Sequence, residues 1–293
     1  MPLYLENLSK FAFSRRESLR EFLSSRKGRE DVFGIIGIPF DSTATYMPGA
    51  RFGPAAIREA SYNFERYNLT FNRELKATVF DLGDIEVALG NFKETSKRII
   101  DTLSKLTSYV KPLIFGGEHT ITYPIIKVLQ SRLEPVIIHF DAHMDIRDNY
   151  NGRFSHATVM RRIYELEPAG IIMIGVRSAS REEIKFVKEH DIEYYTSHII
   201  QEDAEEVSSK LKSIKGPIYV TIDIDVLDPS HAPMVGNPSP CGLTPFHMEK
   251  FIKIIAKKEI VGVDIVEVAS SKKGDLTSIN AAKIVHDLLS LKS

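Results

Sequence analysis

The chain has 293 residues, enough for roughly two domains, yet its composition does not shift along its length and no Ser/Gly- or Pro-rich linker divides it. Residues 1–293 therefore read as one domain, with 1–30 an N-terminal extension or helix. Lys+Arg 38 against Asp+Glu 39 leaves no basic excess for a phosphate backbone, which argues against a nucleic-acid partner. The single cysteine, Cys241, excludes an intrachain disulfide framework and a thiolate metal cage and suits a reducing compartment. The N-terminus lacks an apolar signal core, and no apolar stretch approaches the roughly 18 residues of a membrane span, so a cytoplasmic protein is expected.

In chain order, apolar β-branched runs at 32–40, 77–82, 112–116, 135–140, 170–176, 192–197, 217–224 and 260–268 predict eight strands. Helical patterns fall between and after them, at 54–61, 91–110, 120–130, 156–166, 181–190, 202–214, 244–258 and 276–291. Strands alternating with helices indicate an α/β protein with a mainly parallel sheet. Periodicity does not separate an open sheet with helices on both faces from a closed barrel, because both bury parallel strands on two sides.

Either architecture brings the chemistry to one edge. His119, Asp141, His143, Asp145, Asp223, Asp225 and Glu267 all fall at or just past the carboxyl end of a predicted strand, where open and closed α/β folds place their sites. In Asp141-Ala-His143-Met-Asp145 a strand feeds two carboxylates and an imidazole into a turn, and Asp223-Ile-Asp225 sets two carboxylates on one face through the two-residue strand period. Buried carboxylates without partners cost several kcal/mol each, so such a cluster requires cations. The ligands outnumber the needs of one divalent ion, which points to a dinuclear centre. Gly116-Gly117 allows close backbone approach after a strand and presents His119 at the edge.

Neighbouring polar residues have quieter expected tasks. His139 is expected to point away from the neighbours of Asp141 and to serve as a core or supporting histidine. Glu118 is expected to orient His119 or bond backbone. Turn formation is expected of Asp228, which precedes Pro229, and support of the ligands is expected of Asp264. Cys241 reads as a small packed side chain rather than a nucleophile.

Taken together, Gly117-Glu118-His119, Asp141-Ala-His143-Met-Asp145, Ser155-His156-Ala157, Asp223-Ile-Asp225-Val-Leu-Asp228-Pro229 and Asp264-Ile-Val-Glu267-Val resemble the ureohydrolases, the arginases and agmatinases. Gly37-Ile-Pro39-Phe-Asp41 and Pro48-Gly49-Ala-Arg51-Phe-Gly53-Pro54 extend the resemblance over about residues 33 to 290, with loops most similar to agmatinases. The resemblance implies a three-layer α/β/α sandwich with an eight-stranded, mainly parallel sheet, and two Mn²⁺ per subunit. It implies one ion on His119, Asp141, Asp145 and Asp223, and the other on His143, Asp141, Asp223 and Asp225. It implies that Glu267 binds the guanidinium, that Asp145 passes a proton to the leaving amine, and that His156 shuttles protons to solvent. The implied substrate is a small guanidino compound, with agmatine cleaved to putrescine and urea, and the implied assembly is a homo-oligomeric trimer or hexamer.

Departures bear on the substrate tail. Met234 and Cys241 stand where many members carry glycines, Ser270 stands for a common proline, and Arg147 occupies a position where arginases carry an asparagine. Arginase, guanidinobutyrase and formimidoylglutamase activities are the alternatives within the family. Outside it stand a dinuclear metallophosphatase, whose usual Gly-Asn-His turn is missing, and a catalytically silent metal-binding protein.

Overall fold

The computed structural model describes residues 5–6, 10–25 and 31–292. The strands are β1 (Leu5–Glu6), β2 (Val32–Ile38), β3 (Tyr67–Asn68), β4 (Arg73–Glu74), β5 (Thr78–Ile85), β6 (Lys111–Gly116), β7 (Val136–Phe140), β8 (Gly170–Val176), β9 (Glu193–Thr196), β10 (Pro217–Asp223) and β11 (Glu259–Val266). Between them run α1 (Leu19–Ser25), α2 (Gly53–Ala60), α3 (Phe92–Leu106), α4 (Thr122–Gln130), α5 (Val159–Tyr164), α6 (Arg181–Glu189), α7 (Ser197–Glu202), α8 (Glu205–Ser213), α9 (Pro245–Ile255) and α10 (Leu276–Leu291).

The main sheet is open, in the order β1-β5-β2-β6-β11-β10-β7-β8-β9, while β3 and β4 form a separate two-stranded ladder. This excludes the barrel. The eight expected strands pair parallel throughout. A ninth, β1, adds antiparallel at the β5 edge and pairs Leu5 with Ile85 and Glu6 with Asp84, which carries β5 past its expected end at 82. Of the expected N-terminal extension, 1–4, 7–9 and 26–30 lie outside the described residues.

Alternation along each strand builds a core on both faces. Ile138 and Phe140 of β7 join Ile172 and Ile174 of β8 beneath Ile57 of α2, Phe251 of α9 and Val285 of α10. Ile137, Ile171 and Met173 face the other way, toward Ile99 of α3, Ile125 of α4, Met160 of α5 and Phe186 of α6. The result is helices, sheet, helices. Sequence patterning missed α7, whose six residues are too few to show a helical period, although Thr196 caps it by accepting the Ile199 N–H. The expected 156–166 helix is a 3-10 turn over His156–Thr158 followed by α5, with Ser155 and Thr158 forming a capping box. Among the described residues no helix is long and apolar enough to cross a membrane.

Four adjacent central strands, β6, β11, β10 and β7, carry the segments that hold His119, Glu267, Asp223 with Asp225, and Asp141 with His143 and Asp145. Parallel strands all end at the same edge, so residues up to 148 apart in sequence meet there.

Candidate metal centre

At this edge Asp141 lies between the two imidazoles. Its Oδ2 is 3.2 Å from His119 Nδ1 and its Oδ1 is 3.4 Å from His143 Nδ1. On the His119 side stand Asp145 Oδ2 at 3.3 Å and Asp223 Oδ2 at 3.6 Å, and on the His143 side stands Asp225 Oδ2 at 3.1 Å. All six expected ligand side chains therefore converge. Backbone donors hold several carboxylates in place: His143 N–H reaches Asp141 Oδ1 at 2.6 Å, Asp225 N–H reaches Asp223 Oδ1 at 2.9 Å, and Ala142 N–H reaches Asp225 Oδ1 at 3.1 Å.

The protons on His119 follow from its neighbours. Asp264 accepts hydrogen bonds from Thr122, Tyr219 and Thr221, the last at 2.5 Å. With the Thr221 proton so committed, its oxygen accepts from His119 Nε2 at 2.9 Å, so Nδ1, facing three carboxylates, is the nitrogen whose lone pair a cation would take. Nδ1 is fully buried and has no hydrogen-bond partner. His119, Asp141 and Asp145 bring donor atoms close enough together to hold a divalent cation, and Asp223 Oδ2 stands beside them.

Without a cation the site borrows protons. Burial opposes charge on His119 and His143, but the surrounding aspartates outweigh it, lifting His119 well above the usual imidazole range and His143 to about 12. Burial raises Asp223, reinforced by Asp225 and Asp141. Glu267 is raised as well, by burial and then by the nearby Glu118 charge. His156 is lowered chiefly by burial, which favours the neutral ring at neutral pH. Asp145 and Glu267 also hold left-handed backbone, at φ 51° and 63°. Such non-glycine strain gathers at functional sites.

Glu267 and His156 border the cluster. Glu267 Oε1 accepts the His119 N–H at 2.9 Å and lies 3.9 Å from His156 Nδ1. A cavity of about 490 Å³ opens beside them, with His143, Asp145 and His156 facing it and Arg147, Glu183 and Asn237 on its walls. Arg147 lies over the Tyr150 ring at 4.5 Å and 3.5 Å from the Glu183 carboxylate, while Asp148 pairs with Arg162.

Two expectations need correction. His139 does not point away: its Nε2 is 2.9 Å from Asp141 Oδ2, because residues two apart along a strand share a face. It also joins His119, Asp141 and Asp145 in one buried group whose donor atoms lie close enough to hold a metal ion. Cys241 is not packed but exposed, on a left-handed turn at φ 63° that turns its side chain outward. Glu118 bonds backbone as expected, but that of Thr43, with both oxygens used on the 41–49 loop and Thr120. Asp228 forms its turn by accepting from Ser230 and Gly242. The glycine pair does allow close approach: a Cβ on Gly117 would stand 2.0 Å from the Phe40 carbonyl oxygen.

Sequence reasoning missed three contributors. Arg177 donates to the backbone oxygens of Asp225 at 2.6 Å and Ser239 at 2.8 Å, joining a ligand turn to the loop beside the cavity. Gly236 runs against Glu267, where a Cβ would stand 3.2 Å from Oε2. Thr45 Oγ1 meets His156 Nε2 at 3.1 Å. A basic residue just past a strand end was the one signal for Arg177; the other two become visible only in space.

The chain is 53% identical over 282 residues to an uncharacterised 32.2 kDa protein of Methanothermus fervidus, covering 96% of this chain and 97% of that one. It is 37% identical over 265 residues to the agmatinase of Pyrococcus horikoshii, covering 88% and 91%. The crystal structure of agmatine ureohydrolase of Thermoplasma volcanium superposes with a TM-score of 0.84 at 28% identity, covering 98% of this chain and 95% of that one. The arginase family model matches residues 31–290, all eight parallel strands and every residue of the cluster. This chain is a ureohydrolase of the arginase family.

Proposed function

We propose that the enzyme is a dimanganese hydrolase that cleaves agmatine to putrescine and urea. The observation that carries the metal reading is His119 Nδ1, buried and unpartnered before three carboxylate oxygens. An oxygen-rich donor set with two imidazoles and no thiolate suits Mn²⁺. One ion would take His119, Asp141, Asp145 and Asp223, the other His143, Asp141, Asp223 and Asp225. Bound there, the pair would supply a water acidic enough to act as nucleophile near neutral pH.

The side chains supply the rest. Glu267 meets the planar guanidinium with its carboxylate, and the substrate's positive charge favours the ionised form that burial disfavours. Oε1 is already held by the His119 N–H, which fixes the carboxylate plane and so aligns the guanidino carbon over the cluster. After water adds, the C–N bond breaks only if the leaving amine takes a proton. Asp145, on the cavity wall, passes that proton, and His156 exchanges it with solvent. The amine and urea then leave.

The agmatinase relatives and the agmatine ureohydrolase structure support agmatine, as does the resemblance of the loops. A cytoplasmic trimer or hexamer acting in polyamine synthesis belongs to this reading, and the lone cysteine, suited to a reducing compartment, supports the location. The test is a comparison on Mn²⁺-loaded protein of agmatine, arginine, 4-guanidinobutyrate, formiminoglutamate and agmatine lengthened by an aminopropyl group. Urea is assayed for the guanidines and formamide for formiminoglutamate. Agmatine should give the highest kcat/KM; a better rival would replace it as the substrate.

A further inference from the structure

The loop that follows β2 is tied to the site at two threonines. Thr43 donates its N–H to Glu118 Oε2 at 2.6 Å and its hydroxyl to Glu118 Oε1 at 2.7 Å. The Thr43 oxygen, its proton thus committed, accepts the His156 backbone N–H at 3.1 Å. Glu118 is fully buried, so loop 41–49 and the start of the His156 turn hang from one interior carboxylate. Two residues along, Thr45 places its hydroxyl against the ring of His156, with Oγ1 3.1 Å from Nε2. The other ring nitrogen, Nδ1, looks inward to Glu267 Oε1 at 3.9 Å.

The two nitrogens thus have different company. Glu267 Oε1, an acceptor since it takes the His119 N–H, favours a proton on Nδ1, and a hydroxyl that donates to Nε2 complements the lone pair this leaves. Valine in place of Thr45 would keep the shape and remove that donor. Thr45 also lines the cavity, where its oxygen can accept from water while its proton goes to the ring.

We propose that Thr45 is a positioning residue that holds His156 as its Nδ1–H tautomer, presenting a proton inward and a lone pair outward. The inference rests on the shuttle role given to His156. Glu118 and Thr43 tether the loop that carries Thr45, and the Thr45 hydroxyl complements the Nε2 lone pair left when Nδ1 carries the hydrogen. Its task is orientation, since it touches the imidazole and not the reacting atoms.

The test combines ring spectroscopy with kinetics on T45V and T45S. In the full-length protein loaded with diamagnetic Mg²⁺ or Zn²⁺, imidazole ¹⁵N shifts are assigned to His156 by their loss in H156Q. Wild type and T45S should show a protonated Nδ1 and a pyridine-like Nε2, whereas T45V should show an averaged pair or the opposite tautomer. With Mn²⁺, T45V should lose about tenfold in kcat with KM within twofold, and T45S should recover most of it. Unchanged ring shifts in T45V overturn the proposal, as does a T45S variant as impaired as T45V. The ring spectrum needs no turnover, so a protein that hydrolyses no guanidine would sink the proposed reaction while the tautomer remains separately decided.

Discussion

Gly236 stands so close to Glu267 that a methyl group on it would lie 3.2 Å from Oε2 and 3.3 Å from the Met47 carbonyl oxygen. Because Glu267 Oε1 already accepts the His119 N–H, Oε2 is the less committed oxygen for a guanidinium in the proposed binding mode. Gly236→Ala should therefore lower kcat/KM for the guanidino substrate at least tenfold, chiefly through KM, with the melting temperature moved by only a few degrees. Steady-state kinetics beside a thermal melt decide it, and an unchanged KM would remove Oε2 as the anchor.

The imidazole cluster predicts how metal and protons compete. His143 is pushed up to about 12 because Asp225 and Asp141 outweigh its burial, so the metal-free site is protonated at neutral pH. A divalent ion must displace those protons, and binding should release protons and tighten as pH rises from 6 to 9. Calorimetry in buffers of different ionisation enthalpy measures the release. The metal-free fold behaves in the opposite sense. A folded pKa raised from the ordinary imidazole value contributes stability that is complete below about 6.5 and declines as pH climbs toward the folded value. Chelated protein should accordingly melt at a lower temperature at pH 9 than at pH 6.5. A flat profile would mean that the aspartates do not hold the proton on His143.

How much of this was legible follows from what each residue does. The clustered positions could be read because a carboxylate or imidazole placed just past an apolar run has few structural reasons to be there, and parallel strands deliver all such ends to one edge. The order that makes β6, β11, β10 and β7 neighbours has no counterpart in local pattern, so the convergence of Glu267 on His119 rested on resemblance. The contact of His139 with Asp141 is legible too, since the two-residue strand period counted back from Asp141 puts both on one face. Arg177, Thr45 and Gly236 act through what lies opposite them, backbone carbonyls, a ring nitrogen and a carboxylate oxygen, none of which leaves a mark in their own sequence segments.

Arg177 gives the third prediction. Its guanidinium donates to the carbonyls of Gly175, Asp225, Val226, Leu227, Ser239 and Pro240, a fan of acceptors that a lysine ammonium with three protons does not match. Arg177→Lys should cost about 1–2 kcal/mol in unfolding free energy, since partly buried carbonyls lose charge-assisted partners. With two ions bound as proposed, it should also weaken the one on the His143 and Asp225 side more than the one on the His119 side, because Arg177 holds the Asp225 backbone. Denaturant melts and a two-site metal titration read the two effects. Equal weakening of both ions would show that Arg177 serves the whole fold and not this turn.

Cys241 tests whether a departure from the family's glycine-bearing loop carries a cost. Its backbone is left-handed at φ 63°, a conformation that costs a side-chain-bearing residue about 1 kcal/mol and glycine nothing. The side chain is exposed, so its removal empties no packed space. Against this, glycine gives the unfolded chain more freedom, worth about 0.4–1 kcal/mol. Cys241→Gly should consequently leave the melting temperature unchanged or raise it by about 1–3 °C. Cys241→Ala keeps the strained backbone and loses the same thiol, and should show no rise. The loop carbonyls that bind Arg177 lie directly before Cys241, and the Gly242 N–H that Asp228 accepts lies directly after it. Relief of strain here should therefore leave metal affinity as it was. If alanine stabilises as much as glycine, the backbone angle is not the cause, and the thiol itself is what the loop is better without.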